Sequence, residues 1–129
     1  MAKTALELSQ KEWREYRPSV ALKEREKRES KVRAQRKGQA WDSARRAAHL
    51  LREEYGAKRV VIFGSLAHGQ WFTSWSDIDL AAWGIAPTRF YAAVAAVADL
   101  GFSFKIDLID VETCRPSLKK IIEQEGIEL

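Results

Sequence analysis

The chain has few of the residues that cross-link a protein or anchor it in a membrane. Its 129 residues include one cysteine, Cys114, which excludes an internal disulfide and a cysteine-rich zinc site. The longest apolar run, Phe90 to Ala98, covers nine residues. A membrane-spanning helix needs roughly 18 or more. No apolar leader is readable at the N-terminus. We therefore expect a cytoplasmic protein without a membrane partner.

The charge is unevenly distributed along the chain. Residues 1–56 contain 15 Lys or Arg against 9 Asp or Glu, a net of +6. Residues 57–129 contain 7 against 9, a net of −2. With 46% hydrophobic residues, the chain has enough apolar surface for a core, which argues against disordered and fibrous classes. These observations predict a charged helical extension over residues 1–38 and a globular domain over residues 39–129.

The segment from Lys23 to Lys37 is the most strongly charged part of the extension. It carries eight bases and three acids and has almost nothing to bury, so it is expected to be a solvated helix or a mobile arm. Clustered bases could contact RNA phosphates. However, Glu24, Glu26 and Glu29 interleave with them and would repel the same backbone. We therefore favour a solvated or protein-docking helix over an RNA contact.

The patterns that follow predict an α+β domain. A helix is expected from about Ala40 to Tyr55, separated from the extension by Gly38. A strand, a strand, a helix, a strand and a helix then follow, at about residues 59–63, 77–83, 87–100, 104–109 and 116–126. This order favours a small mixed sheet of about three strands with helices packed on one face.

Two acids, Asp77 and Asp79, stand two residues apart on a predicted strand. Residues at this spacing share one face, so Ile78 and Leu80 would face the core while the carboxylates converge. Two charges about 4 Å apart repel by about 4 kcal/mol at an effective dielectric near 20. A raised pKa or a bound cation must offset this repulsion. Oxygen ligands of this kind suit Mg²⁺ or Mn²⁺.

A glycine and a serine, Gly64 and Ser65, end the preceding strand. Glycine lets a phosphate approach the backbone closely, and a helical turn after it would present free N–H groups. The Ser65 hydroxyl can add a hydrogen bond. His68 is a further candidate for a triphosphate contact, although a solvated loop residue is the commoner role. Ser76 either starts the next strand or orients a neighbouring carboxylate.

A third acid, Asp107, interrupts the last apolar strand. A buried acid there needs a positive partner, which two divalent ions bound with Asp77 and Asp79 would supply. As a ligand to one ion, Asp107 is also placed to accept the proton of an acceptor hydroxyl. Asp110, on the opposite face of the same strand, is the rival candidate.

Three aromatic residues, Trp71, Phe72 and Trp75, lie in the loop between the predicted phosphate turn and the paired acids. They either pack against the helix from Ala40 to Tyr55, stack on a base, or grip a partner protein. We favour the packing interpretation.

These motifs resemble a known family. Phe-Gly-Ser at residues 63–65, followed after eleven residues by Asp-Ile-Asp-Leu at 77–80, is similar to the signature of polymerase-β-like nucleotidyltransferases. The residues around these two motifs most resemble those of the minimal nucleotidyltransferases (MNT). Residues 105–108 match that family's third-carboxylate strand, and residues 116–122 resemble its final helix. The family's phosphate loop often carries arginine where this chain has Leu66 and His68, which implies weaker neutralisation of a triphosphate.

The resemblance implies the polymerase-β-like fold and a Mg²⁺-dependent nucleotidyltransferase. Such an enzyme transfers a nucleoside monophosphate, usually AMP from ATP, to a hydroxyl, with two Mg²⁺ (or Mn²⁺) ions. The implied partner is a HEPN-type protein. This chain would then be the antitoxin of a HEPN/MNT toxin–antitoxin pair and would modify the HEPN-type toxin. A homo-oligomer is compatible with this assignment. Two alternatives stay open: a non-catalytic antitoxin or scaffold that inhibits by binding, and an RNA-end nucleotidyltransferase.

Overall fold

The structure is a computed structural model that describes residues 17–69, 72–73 and 76–129. Its contacts divide the chain into two compact units, one ending at Gln35 and the other running from Arg36 to Leu129. The elements in chain order are α1 Arg17–Tyr55, β1 Arg59–Phe63, α2 Ser65–His68, β2 Ile78–Trp83, α3 Pro87–Asp99, β3 Ile106–Asp110, α4 Pro116–Glu125 and β4 Ile127–Glu128.

Helix α1 runs without interruption through 39 residues, so the predicted break between two helices at Gly38 is wrong. The domain boundary between residues 38 and 39 stays a prediction. A glycine in a helix interior costs only about 1 kcal/mol relative to alanine. The neighbouring helix formers, together with the burial of Ala40 and Ala44, outweigh that cost. The helix therefore continues from the charged segment into the domain.

The described part of the first unit is a solvated helical segment. All side chains from residue 21 to residue 35 are exposed, including those of Leu22 and Val32. Arg25 and Glu29 form an exposed ion pair one helical turn apart, at 3.7 Å. Such a pair stabilises a helix by only about 0.2–0.5 kcal/mol. The first sixteen residues of the predicted extension lie outside the described residues.

The sheet has four strands in the order β3-β2-β1-β4. β1 runs antiparallel to both β2 and β4, whereas β2 and β3 are parallel. The mixed α+β architecture expected from the sequence is confirmed, with one strand more than predicted. The additional strand, β4, contains only two exposed residues, and these pair with Val61 and Ile62. A segment this short has no alternation that a sequence pattern could reveal.

One face of the sheet packs against α1 and α3. Alanines dominate the buried face of α1, which lets its backbone lie close to the strands. The fully buried strand residues on this face are Val60, Ile62, Ile78 and Leu80, and the helix residues are Ala40, Ala44, Ala47, Leu51 and Ala93. Burial of each Ile or Leu side chain contributes about 1.5–3 kcal/mol.

The other face of the sheet packs against α4, so the prediction that all helices lie on one face is wrong. Val61, Phe63 and Ala81 form a second buried cluster with Ile122 of α4. Alternation sends Val61 and Phe63 away from Val60 on the same strand. Because β1 is apolar at every position from 60 to 63, both of its faces need a cover.

The part of the chain that the structure describes contains no helix long and apolar enough to cross a membrane.

Candidate active site

Asp79 and Asp107 lie side by side at one end of the sheet. They are directly opposed in the parallel register of β2 and β3. Asp77 comes two residues before Asp79, and strand alternation places it towards the same face. Ile78 and Leu80 are fully buried in the core on the other face, as predicted. The Ile78 N–H donates to the Lys105 carbonyl at 2.9 Å, which continues the pairing to the strand ends.

The electrostatics of Asp79 show that the charges of Asp77 and Asp107 act on its carboxyl. Partial burial is the largest cause that raises the pKa of the Asp79 carboxyl, followed by the negative charges of Asp107 and Asp77, and together they bring it to about 6. Within the described residues, none of these carboxylates has a hydrogen bond or ion pair with a side chain. The repulsion predicted from the sequence therefore acts on Asp79, and no cation of the part of the chain that the structure describes offsets it.

The donor set fits a divalent cation in its chemistry. All three groups are carboxylates, the ligands that Mg²⁺ and Mn²⁺ prefer, and their mutual repulsion would be relieved by positive charge. Among residues 17–69, 72–73 and 76–129, no three His, Cys, Asp or Glu side chains form a ready-made metal cage. Asp77, Asp79 and Asp107 are thus neighbours whose oxygens would need to turn towards a shared ion.

Gly64 brings the predicted phosphate turn directly against Asp79. Its φ of +74° lies in the left-handed region that favours glycine. A Cβ at this position would collide with Asp79 Oδ2 and would lie 3.2 Å from its Cγ. Only glycine therefore allows the turn and the carboxylate to approach so closely.

The helical turn α2 follows Gly64 immediately. The His68 N–H donates to the Gly64 carbonyl at 3.2 Å, and the Gly69 N–H donates to the Ser65 carbonyl at 2.9 Å. The N–H groups that precede the first such bond have no acceptor within the turn. They lie beside Ser65, which is partly exposed, so these N–H groups are suited to donate hydrogen bonds to a bound anion.

His68 has a protein partner. Its Nε2 lies 3.0 Å from Glu125 Oε2, near the end of α4. This contact joins the turn α2 to the helix that covers the second face of the sheet. The sequence gives no signal for the pairing, because 57 residues separate the two side chains.

Ser76 closes the loop ahead of β2. Its hydroxyl accepts a hydrogen bond from the Thr73 N–H at 2.9 Å and lies 3.2 Å from the Thr73 hydroxyl. The Ser76 N–H donates to the Thr73 carbonyl at 3.1 Å. The structure therefore gives Ser76 a role in the loop turn and shows no hydrogen bond from it to Asp77 or Asp79.

The register separates Asp107 from its rival. Asp110 pairs with Ala82 near the far end of β2, and its Oδ1 accepts a hydrogen bond from the Glu112 N–H at 3.1 Å. Of the two acids on β3, the structure thus brings Asp107 beside Asp79. The expectation that Asp107 is buried is wrong: its side chain is exposed, because β3 is an outer strand of the sheet.

The loop aromatic Phe72 is a core residue. Its side chain is 4% exposed and its ring lies 5.8 Å from that of Phe104, in the cluster that includes α1. This agrees with the packing interpretation for Phe72. Trp71 and Trp75 lie outside the described residues.

A family model described as a nucleotidyltransferase domain matches residues 44–129 of the chain. The chain belongs to the nucleotidyltransferase domain family. This confirms both the family resemblance and the predicted enzyme class. The match starts inside α1, so the first part of that helix precedes the region shared with the family.

Solved structures share the fold. One, designated a minimal nucleotidyltransferase, is 28% identical with a TM-score of 0.54, and the alignment covers 66% of this chain and 88% of that one. A toxin–antitoxin complex with AMP-PNP is 21% identical with a TM-score of 0.53, covering 63% and 67%. The MntA–HepT toxin–antitoxin complex is 18% identical with a TM-score of 0.51, covering 67% and 68%. No curated protein matches the chain.

Proposed function

We propose that this nucleotidyltransferase transfers a nucleoside monophosphate, AMP from ATP, to a hydroxyl of a partner protein in a divalent-metal-dependent reaction. The observation that carries the proposal is the meeting of Asp79, Asp107 and Gly64 at one end of the sheet. An acid cluster with no cationic partner among the described residues would thus face a turn suited to phosphate. Either feature alone is common; together they match the needs of a nucleotide and a metal.

Asp77, Asp79 and Asp107 would hold the divalent cations. A bound cation would offset the charge of the triphosphate and relieve the repulsion among the three carboxylates. The Gly64–Ser65 backbone and the Ser65 hydroxyl would hold phosphate oxygens through N–H and O–H donors. His68 and Ser76 stay predicted contacts of the nucleotide site.

Asp107 is proposed to act as the base. The acceptor oxygen bonds to the α-phosphorus while its proton moves to the Asp107 carboxylate. The bond between the α-phosphorus and the bridging oxygen breaks, and pyrophosphate leaves with the electron pair. Exposure of Asp107 on an outer strand lets a large acceptor, such as a protein, reach this carboxylate.

The proposed acceptor is a toxin partner of the HEPN type, for which this chain would be the antitoxin. Support comes from the solved toxin–antitoxin complexes that share the fold, one of which contains AMP-PNP. A cytoplasmic location is part of the same proposal, because such a partner would be met there.

The test is an assay with α-labelled ATP, Mg²⁺ and the candidate partner. We expect label on the partner with the unaltered chain, and loss of label with Asp77→Asn or with chelator. The non-catalytic antitoxin would inhibit its partner equally well after Asp77→Asn. The absence of a ready-made metal cage among the described residues is the observation that favours this second candidate. Inhibition without any label transfer would therefore overturn the proposed reaction.

A further inference from the structure

The lysine at position 37 lies beside the end of the proposed phosphate turn. Its Nζ is 4.0 Å from the point where a Cβ on Gly69, the residue that ends α2, would stand. Lys37 is partly buried, whereas every described base from residue 23 to residue 33 is exposed. Lys37 is therefore set apart from the solvated bases that precede it on the same helix.

The turn itself offers little positive charge to a triphosphate. Between Gly64 and Gly69, the one side chain that can become cationic is His68, and its Nε2 already lies 3.0 Å from Glu125. The nearby carboxylates add further negative charge. A polyphosphate tail bound along this turn would therefore need a cation from another element.

Lys37 is available for that role. Within the described residues, its ammonium takes part in no ion pair and no hydrogen bond. An ammonium on a flexible stem suits a phosphate, since it supplies a point charge and three donors.

The preceding residue fixes this part of α1 against the domain. The Arg36 guanidinium lies over the Phe104 ring, 5.2 Å from its centroid, and the Arg36 Nε is buried without a hydrogen-bond partner. Phe104 itself is buried, two residues before β3 begins. This contact joins α1 to the segment that leads into β3, the strand that carries Asp107. Lys37, the next residue of the helix, has its Nζ near Gly69.

We propose that Lys37 binds the polyphosphate tail of the nucleoside triphosphate, so that α1 completes the nucleotide site from outside the region matched by the family. The proposal rests on the proposed function and deepens it. Lys37 acts as a binding residue: it contributes positive charge at the Gly69 end of the turn, while the Gly64 end contributes backbone donors.

The test measures the affinity of the full chain for AMP-PNP and for AMP, both with Mg²⁺, by calorimetry. Lys37→Ala should weaken AMP-PNP binding about tenfold, the effect of losing one charge-assisted contact. AMP binding should change less than about twofold, because AMP lacks the outer phosphates. Lys37→Arg should restore most of the affinity. Lys31→Ala, which removes an exposed lysine of the same helix, is the matched control and should change neither affinity.

Two results would overturn the proposal. Lys37→Ala could leave AMP-PNP affinity unchanged, or it could weaken AMP and AMP-PNP equally, which would indicate a structural role. Circular dichroism of each variant checks the helix. If the unaltered chain binds neither nucleotide, the proposed function fails and the role of Lys37 fails with it. If the unaltered chain binds AMP-PNP and Lys37→Ala binds it equally well, the role of Lys37 alone fails.

Discussion

The two ends of the central sheet contain similar residues and differ in how those residues are partnered. Each end has a glycine at positive φ after a strand, Gly64 at +74° and Gly84 at +87°. Each end also has several acids. At the end with Gly84, the glycine N–H donates to Glu112 Oε1 at 3.1 Å, and the Glu112 N–H donates to Asp110. These acids have protein donors.

The end of the sheet with Gly84 also has a cationic side chain paired with an acid. Arg59 forms an ion pair with Glu128 and lies over the Trp83 ring, 4.4 Å from its centroid. At the end with Gly64, the described residues give Asp79 and Asp107 no such partner, and the pKa of Asp79 is raised. Acids with protein donors stabilise the fold, whereas a cluster of acids without them indicates a site for an external cation.

The largest effect on activity is expected from substitution of one of the two acids on β3. Asp107→Asn should lower label transfer by at least about 100-fold, because it removes both a proposed metal ligand and the proposed base. Asp110→Asn is the matched control and should stay within about twofold, since Asp110 is held by the Glu112 N–H on the other face. Equal losses in the two variants would erase the difference between the ends of the sheet. The measurement is the initial rate of transfer from α-labelled ATP.

The two glycines that follow β1 and β2 also differ in what surrounds them. Gly64→Ala puts a methyl group against the Asp79 carboxylate, and we expect the free energy of unfolding to fall by about 2–3 kcal/mol. The Cβ that Gly84→Ala adds meets the Cγ of Lys58, which can rotate, and lies 3.2 Å from the Lys58 Cβ, which is fixed to the backbone, so we expect about 1–2 kcal/mol. Urea unfolding followed by circular dichroism measures both values. A larger loss for Gly84→Ala would contradict the close approach at Gly64.

The raised pKa of Asp79 makes stability depend on pH. Its folded pKa of about 6 lies above its unfolded value, so its contribution is fully present below about pH 4 and is lost as pH rises through 6. Without metal at pH 7, Asp79→Asn should therefore increase the free energy of unfolding by about 1–2 kcal/mol, after allowance for solvent screening. The gain should vanish near pH 4.

The check is urea unfolding between pH 4 and 7, with Asp110→Asn as the control that shows no such gain. Saturating Mg²⁺ should stabilise the unaltered chain at pH 7 and abolish the advantage of Asp79→Asn. A pH-independent effect of Asp79→Asn would contradict the electrostatic account.

The smallest expected effect concerns His68 and Glu125. Their side chains are 49% and 44% exposed, so the pair should contribute about 0.2–1 kcal/mol. A double-mutant cycle of His68→Ala and Glu125→Ala, followed by urea unfolding, measures this coupling. Because His68 already has this partner, His68→Ala should weaken AMP-PNP binding less than Lys37→Ala does. A larger loss for His68→Ala would make histidine the main cation of the turn.

Local patterns in the sequence predicted much of the fold and the members of the site. The apolar run from 60 to 63 and the Asp-Ile-Asp-Leu alternation gave strands close to β1 and β2, because each pattern is complete within one element. The pairing of Asp79 with Asp107 depends on the parallel register of β2 and β3. The order of elements favours parallel strands, but it does not determine which residues pair.

The features that the sequence missed depend on contacts between distant segments. Helix α1 passes through Gly38 because burial in the domain outweighs the local cost of glycine. Strand β4 forms only because β1 offers a free edge to two residues. The positions of Lys37 beside Gly69 and of Glu125 beside His68 follow from helix packing, and no spacing in the sequence encodes them.

A crystal structure of the full chain with AMP-PNP and Mg²⁺ would show directly whether the three carboxylates form a metal site beside the phosphate turn. We expect oxygens of Asp77, Asp79 and Asp107 on Mg²⁺, at about 2.0–2.1 Å, with phosphates bound to the Gly64–Ser65 backbone. A nucleotide bound elsewhere, or these carboxylates turned away from every ion, would contradict this expectation.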